Sequence, residues 1–258
     1  ELTKHISNLK ELTPQDCSAL LSHSVIPIKW RTKRETQWDK TVFGEEFIRA
    51  LVAYLATLTS EEQAHFDFPL LPTTIGTLFQ LKKKRILLDR DNTVPKNVRS
   101  ILEHFGIRFY DVQSSEDRLQ LTSACLFSVL QALSYCIAKD KINVEPIIDN
   151  LLDTDKRSLV DWIAARWMIE QDKPLDQFLS LLQGLKIYEN YKNQFVSVNE
   201  SLQIEPENFR ESDRFIFGSK YLQLASPVHR PYYRNVMKVK EMTKSQAYSE
   251  RVFTRLLK

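Results

Sequence analysis

Glycine is scarce in this chain, five in 258 residues, and Gly44, Gly76, Gly106, Gly184 and Gly218 each stand alone. Neither a G-x-G-x-x-G nor a G-x-x-x-x-G-K-[ST] loop can be assembled from isolated glycines, which excludes the phosphate cradles that depend on them. Cysteine is also sparse: Cys17, Cys125 and Cys136 make an odd number with no C-x-x-C. With no signal-like start, that usage favours free thiols in a reducing compartment, so the expected localisation is cytoplasmic. His5, His23, His65, His104 and His229 are far apart, and no H-E-x-x-H or Cys/His spacing suggests a metal. No apolar run approaches the roughly 18 residues that span a bilayer. Charge of one sign is lacking too: 36 basic against 33 acidic residues leave +3, too balanced to announce nucleic acid or an anionic membrane. No cofactor or metal is expected.

What is present is apolar material, 43% of residues, enough for a substantial core in one elongated domain or two compact halves. Residues 68–81 and 185–198 read as one small device used twice, an apolar run that turns through Gly76 or Asn193 and returns as an alternating strand. Glycine and asparagine tolerate the positive φ of a tight turn, so both stretches are predicted β-hairpins, each preceded by helix. A further helix, 95–105 or 242–257, comes later in each half. Thr13-Pro14 opens a helix towards Ser22, and residues 26–40 read as loop. Phe47, Ile48, Leu51, Tyr54, Leu55 and Leu58 predict an amphipathic helix over 44–58, followed by a capping box at Thr59–Glu62. Ile86–Leu88 reads as strand, 95–105 as a helix that Gly106 terminates, and 107–112 as strand again. Helices are predicted over 118–139, 144–152, 154–170 and 174–182, with Leu159, Ile163 and Trp167 on one face and Trp162 beside them. Residues 205–231 read as loop and strand, and Thr243–Gln246 caps a last helix with Ala247, Val252, Leu256 and Phe253 inward. The expected fold is α+β, predominantly helical, in two similar modules that each pack a short β-hairpin on helices. The boundary is placed near Gln113, giving modules 1–113 and 114–258.

Two strings carry candidate chemistry. Ile86-Leu-Leu-Asp-Arg-Asp-Asn-Thr93, an apolar strand running into Asp-x-Asp-x-Thr, is similar to the first motif of haloacid-dehalogenase-type phosphohydrolases. That resemblance would make Asp89 a nucleophile and Asp91 a general acid/base beside magnesium. No later Asp-Asp pair completes the metal site and the chain downstream is helical, so the adopted reading is turn-and-cap chemistry before a proline-started helix. The basic stretches 29–40 and 82–85 place Arg31, Lys33, Arg34, Lys82, Lys83, Lys84 and Arg85 near Trp30 and Trp38. Cations beside exposed rings could clamp single-stranded nucleic acid. With Glu35 and Asp39 interspersed, the adopted reading is a solvated surface with tucked tryptophans, and nucleic acid is an unlikely partner. The same nine residues, together with the aromatics and charges of 208–234, are the candidate contacts for protein partners.

The order of the devices also carries a resemblance. Pro69-Leu-Leu-Pro72, the Gly76 turn, the strand, Ile86-Leu-Leu-Asp89, Val94-Pro95 and a helix ending Phe105-Gly-Ile107 resemble the large internal repeats of sacsin-type proteins, in the region following the Hsp90-like ATPase domain. In the second half Asp155-Lys-Arg-Ser-Leu159, the run from Phe178 to Glu189, Gln194-Phe-Val-Ser-Val198, the stretch Tyr232 to Met242 and Ser245-Gln-Ala-Tyr248 follow the same pattern. The resemblance covers roughly residues 45–258. Asn193 stands where a glycine is usual, and Lys186-Ile-Tyr188 replaces the usual proline-containing run. The resemblance implies a non-enzymatic scaffold and protein-interaction segment of a large chaperone-like cytosolic protein. The partners it implies are chaperones of the Hsp70 system, intermediate filaments and adjacent repeat modules. The start at Glu1 and the helical run into Lys258 likewise read as a segment cut from a larger protein.

Overall fold

A computed structural model of the protein describes residues 13–81, 84–111, 119, 121–171, 173–207 and 220–249; it is mixed α and β, with more helix than strand and only small sheets. The chain divides into two compact units. One takes the residues up to Arg90 together with Arg108–Ser123, and the other Asp91–Ile107 together with the residues from Ala124. This division and the one read from sequence at 113/114 differ in where 91–107 and 114–123 fall. Among the described residues no helix is long and apolar enough to cross a membrane.

In the first unit, α1 (Pro14–Leu20) starts on a capping box in which Thr13 and Asp16 satisfy each other's orphan amides, and its last turn loosens into a π-helical segment, Leu21–Val25. Residues 26–40 are not the loop expected from their polarity. They hold the helical turn α2 (Ile28–Arg31) and the strand β1 (Glu35–Gln37), and Ile26, Trp30 and Trp38 are buried. Three apolar anchors are enough to pin fifteen residues, and a three-residue strand is too short to show a period of two. The predicted amphipathic helix is α3 (Glu45–Thr57), which buries Ile48, Leu51, Val52 and Leu55. A Thr59–Glu62 capping box starts α4 (Ser60–Gln63) as expected. The strands β2 (Pro69–Pro72) and β3 (Thr77–Gln80) form the first hairpin, with β1 antiparallel on the far side of β3, and β4 (Ile86–Leu88) follows. The helix α5 (Lys96–His104) groups with the second unit, and the chain then returns to the first unit as β5 (Arg108–Phe109) and β6 (Thr122–Ser123), parallel to β4 on either side. Parallel neighbours need a crossover rather than a turn, and α5 supplies it between β4 and β5.

In the second unit the helix expected from residue 118 begins later, as α6 (Leu126–Asp140), because Thr122 and Ser123 are committed to β6. Arg118 and Gln120 of that expectation lie outside the described residues. The helices α7 (Val144–Asp149) and α8 (Asp153–Ile169) follow, then a 3-10 turn, Asp176–Phe178, that leads into α9 (Leu179–Gly184). On α8, Leu159, Trp162 and Ile163 are buried and Trp167 is half-buried. The second hairpin is β7 (Tyr188–Glu189) and β8 (Phe195–Val196), and β9 (Gln203–Ile204) comes next. The run Tyr232 to Met242 is split between a helix and a strand. The helix α10 (His229–Asn235) ends in a turn through Lys238 at φ +57°, and the chain leaves as β10 (Lys240–Glu241) parallel to β9. Residues 244–249 are helical with Ala247 buried, while Val252, Phe253 and Leu256 lie outside the described residues.

The two units share a pattern of backbone hydrogen bonds. In the first turn the Thr73 amide donates to the Thr77 carbonyl and the Gly76 amide to the Thr73 carbonyl; in the second, Asn190 donates to Gln194 and Asn193 to Asn190. Gly76 (φ +75°) and Asn193 (φ +56°) fill the left-handed position of the same three-residue loop. The strand partners agree as well, Leu71 with Phe79 and Pro72 with Leu78 against Tyr188 with Val196 and Glu189 with Phe195. Outside each hairpin the Thr74 amide donates to Phe109 and Asp111 to Pro72, as Tyr191 does to Tyr221 and Gln223 to Glu189. Tyr110 then donates to Leu87, as Leu222 does to Gln203. Finally β4 pairs in parallel with β6 through Leu87–Thr122 and Leu88–Ser123, as β9 does with β10 through Gln203–Lys240 and Ile204–Glu241.

Candidate interaction site

The nine candidate contact residues divide sharply by burial. Trp30 and Trp38 are 5% and 9% exposed, so neither ring is presented to a base or to a partner's side chain. Trp30 lies 5.4 Å from the Phe43 ring, and the Trp38 indole N–H donates to the Phe43 carbonyl at 2.9 Å, which satisfies its one polar atom inside the core. As stacking platforms these two residues are corrected to core. Arg31 is directed at its own turn, donating to the carbonyls of Ile26 (3.3 Å) and His23 (3.1 Å). Lys33, Arg34 and Lys84 are exposed, whereas Arg85 is buried with its guanidinium 4.9 Å from the Phe79 ring centre. Lys82 and Lys83 lie outside the described residues. The stretch 29–40 therefore keeps Lys33 and Arg34 at the surface with Trp30 and Trp38 beneath it, while the second stretch exposes Lys84 and buries Arg85.

Asp89 directly follows β4 and is buried, while Asp91 is exposed. The turn part of the expected chemistry is present, with Asn92 at φ +49°. The cap part is not, since Pro95 itself is the N-cap of α5 and no side chain bonds there. The corresponding place in the second unit, directly after β9, is held by Glu205, also buried. Its carboxylate accepts from the Tyr191 hydroxyl at 2.8 Å, and Arg230 donates to the Glu205 carbonyl and to Glu241, both at 2.6 Å. At that position a carboxylate ties three segments of a unit together. Among the described residues no group of three or more His, Cys, Asp or Glu is gathered to hold a metal ion.

Two features escaped the sequence reading. His229 opens α10 and donates or accepts through Nε2 at 2.7 Å to Asp161 on α8, with its ring 5.5 Å from Tyr233. Burial holds this imidazole below its ordinary value, against the upward pull of Asp161 and of the Gln223 backbone. Around it Tyr188, Tyr232 and Tyr233 are wholly buried, and the Tyr188 hydroxyl donates to the Leu182 carbonyl at 2.9 Å. Desolvation raises all three phenols, which keeps them neutral in the core. The second feature is Cys125, which is not inside the apolar helix but at its N-cap, 3.3 Å from the Lys173 ammonium. Burial pushes its thiol up, yet bonds from Ser128 and the charge of Lys173 outweigh burial and leave it below the usual thiol value. Cys136 is buried within α6, as an inert structural thiol would be.

A cavity of about 510 Å³ in the second unit is lined by Gln183, Val198, Leu202, Met237 and Lys238. Its polar groups serve the fold: the Gln183 side-chain amide donates to the Met237 carbonyl and the Val198 amide to the Gln183 carbonyl. In the first unit a more open hollow of about 410 Å³ is edged by Ser18, His23, Arg31, His65 and Asp67. There Ser18 Oγ donates to the His65 carbonyl at 2.6 Å. Comparison with protein-family models, with curated proteins and with solved structures finds no match to the chain.

Proposed function

We propose that this chain is built from two copies of one unit, and that it is a non-enzymatic scaffold and protein-interaction segment of a cytoplasmic, sacsin-type chaperone-like protein. The observation that carries the reading is the recurrence of one hydrogen-bonded frame, from the hairpin loop through the parallel pair, in residues that share almost no side chains. A frame kept at the level of the backbone while its side chains change is the mark of a repeat architecture, whose usual product is an extended surface rather than a single catalytic pocket. The residue order that resembles sacsin-type repeats supports the choice of family and, with it, Hsp70-system chaperones, intermediate filaments and adjacent repeats as partners. The carboxylate shared by Asp89 and Glu205 fits the same reading, because in the second unit it anchors Tyr191 and lies 4.0 Å from Arg230.

The test is capture from a cytosolic extract on the full chain, with a variant of scrambled exposed charges as control. Enrichment of Hsp70-system chaperones or intermediate-filament proteins over that control is the expected result. Equal recovery on both surfaces, or magnesium-dependent phosphate-ester turnover abolished by Asp89→Asn, overturns the reading.

A further inference from the structure

The two hairpins differ at one edge. In the first unit β1 lies along the outer side of β3, with Glu35 opposite Phe79, Thr36 opposite Leu78 and Gln37 opposite Thr77. Its ends are fixed by the Trp38 amide donating to the Gly76 carbonyl (3.2 Å) and the Gln80 amide donating to the Arg34 carbonyl (3.1 Å). In the second unit the matching positions are Asn193, Gln194, Phe195, Val196 and Ser197. Among the described residues β8 has β7 as its one neighbour, and no strand lies on the other side. The Asn193 carbonyl and the Ser197 amide, counterparts of the Gly76 and Gln80 groups, make no hydrogen bond there among the described residues. Burial follows the same contrast, since Thr77, Leu78, Phe79 and Gln80 are all buried while Gln194 is exposed and Phe195, Val196 and Ser197 are half-exposed.

The chain itself does not supply a strand from the matching place in sequence. Where the first unit runs β1 ahead of its hairpin, the second enters α8. The chemistry of the edge is nevertheless retained. In the first unit the Glu35 carboxylate accepts from Thr77 Oγ1 at 2.8 Å and from Arg108 Nε at 2.6 Å. The matching residues are Gln194, which can donate, and Lys220, which keeps the positive charge.

We infer that the outer edge of β8, from Asn193 to Ser197, is a docking site for an extended segment of a partner protein, added antiparallel to β8 with a carboxylate side chain opposite Val196. Main-chain bonds to an open strand edge provide the affinity of such an addition, and the carboxylate facing Lys220 sets its register. The inference rests on the reading of the chain as a protein-interaction segment and gives that reading a site.

The probe is a fluorescent nine-residue peptide with the sequence of residues 32–40, the strand that fits the matching edge of the first unit. Fluorescence anisotropy with the full chain is expected to show saturable binding that weakens at least tenfold in Ser197→Pro, which removes the outward amide and leaves the pairing with β7 in place. A charge exchange checks the register without disturbing the backbone. Lys220→Glu should weaken the peptide several-fold, and a peptide carrying Glu35→Lys should recover on that variant. Absence of binding at millimolar peptide, binding indifferent to both variants, or loss without recovery in the charge exchange overturns the inference. So does a concentration-dependent dimer that Ser197→Pro dissolves, because the edge would then belong to a second copy. If the peptide fails while capture of chaperones or filament proteins persists, this site falls and the proposed function stands.

Discussion

Among the described residues the first hairpin has a third strand beside it and the second has none, although both loops close on the same pair of backbone bonds. In the first, β1 covers β3 and every residue of β3 is buried; in the second, β8 is half-buried, with the basic residues Lys156 and Arg157 over the Phe195 ring. The difference extends to what holds each turn. Thr73 accepts from the Thr77 amide (3.2 Å) and shares a bond with the Thr77 hydroxyl (2.7 Å). Asn190 does more, its side-chain oxygen accepting from the backbone amides of Lys192 (2.9 Å) and Gln194 (3.1 Å) while its carbonyl accepts from Gln223 Nε2 (2.8 Å). A hairpin that gains packing from a third strand can rest on a threonine. One that lacks it is held by a fully buried asparagine with more bonds.

That contrast makes Asn190→Ala the most damaging substitution. It removes, at a residue that is itself fully buried, the acceptor shared by two turn amides, and unfolding should become easier by about 2–4 kcal/mol. Thr73→Ala should lose about 1–2 kcal/mol, since β1 and the core still hold the strands. Denaturant midpoints of the two variants measure the ratio; equal losses would mean that the third strand contributes nothing to the turn. Next come the left-handed positions. No atom crowds a Cβ at Gly76, so Gly76→Ala meets only the backbone cost of φ +75°, about 1–2 kcal/mol. At Asn193 the cost is already met, and Asn193→Gly should change stability by less than about 0.5 kcal/mol, offset by loss of the 3.0 Å bond from Gln223.

These residues also show how much was legible in sequence. Gly76 and Asn193 announced both turns, because few side chains suit that backbone and each stood between apolar runs. The helix over 45–57 was legible from its spacing, the N-cap at Thr13 from the proline after it, and the capping boxes at Thr59 and Thr243 from their pairs of residues. The parallel pairs were not, since β5, β6, β9 and β10 are two residues each and a two-residue strand has no period to read. The strand β1 was hidden by its polar side chains, half of which point to water while the backbone does the pairing. The agreement between Leu71-Pro72-Thr73 and Tyr188-Glu189-Asn190 lies wholly in main-chain bonds. Of the candidate contacts, sequence located the cations but could not tell that Trp30 and Trp38 lie beneath them.

A pH dependence separates the units further, because the buried imidazole is in the second. The unfolded chain protonates His229 near 6.5, whereas burial depresses that value in the folded unit. Between the two values the unfolded state holds more protons, so stability falls as the pH drops below about 6.5 and is flat with respect to this group above it. Asp161→Asn removes the strongest upward pull and should extend the loss to lower pH, and His229→Gln should abolish it. Denaturation followed at pH 7.5 and 5.5 reads both effects; a His229→Gln variant as acid-sensitive as the parent would assign the dependence elsewhere.

The smallest effect expected on stability concerns the residue that begins the helix after the parallel pair. Cys125 stands after β6 as Thr243 stands after β10, and both donate their backbone amide to a side chain three residues on, Ser128 at 2.9 Å and Gln246 at 3.0 Å. A hydroxyl caps a helix at least as well as a thiol does, so Cys125→Thr should leave stability within about 0.5 kcal/mol of the parent. Reactivity is where the two positions part. With its thiol held below the ordinary value, Cys125 should be alkylated by iodoacetamide at pH 7.5 well ahead of the buried Cys136, and Lys173→Ala should slow it several-fold. Peptide mapping by mass spectrometry gives both rates. If Lys173→Ala leaves the Cys125 rate unchanged, exposure and not the neighbouring ammonium governs the thiol, and Cys125 is only a cap, as Thr243 is.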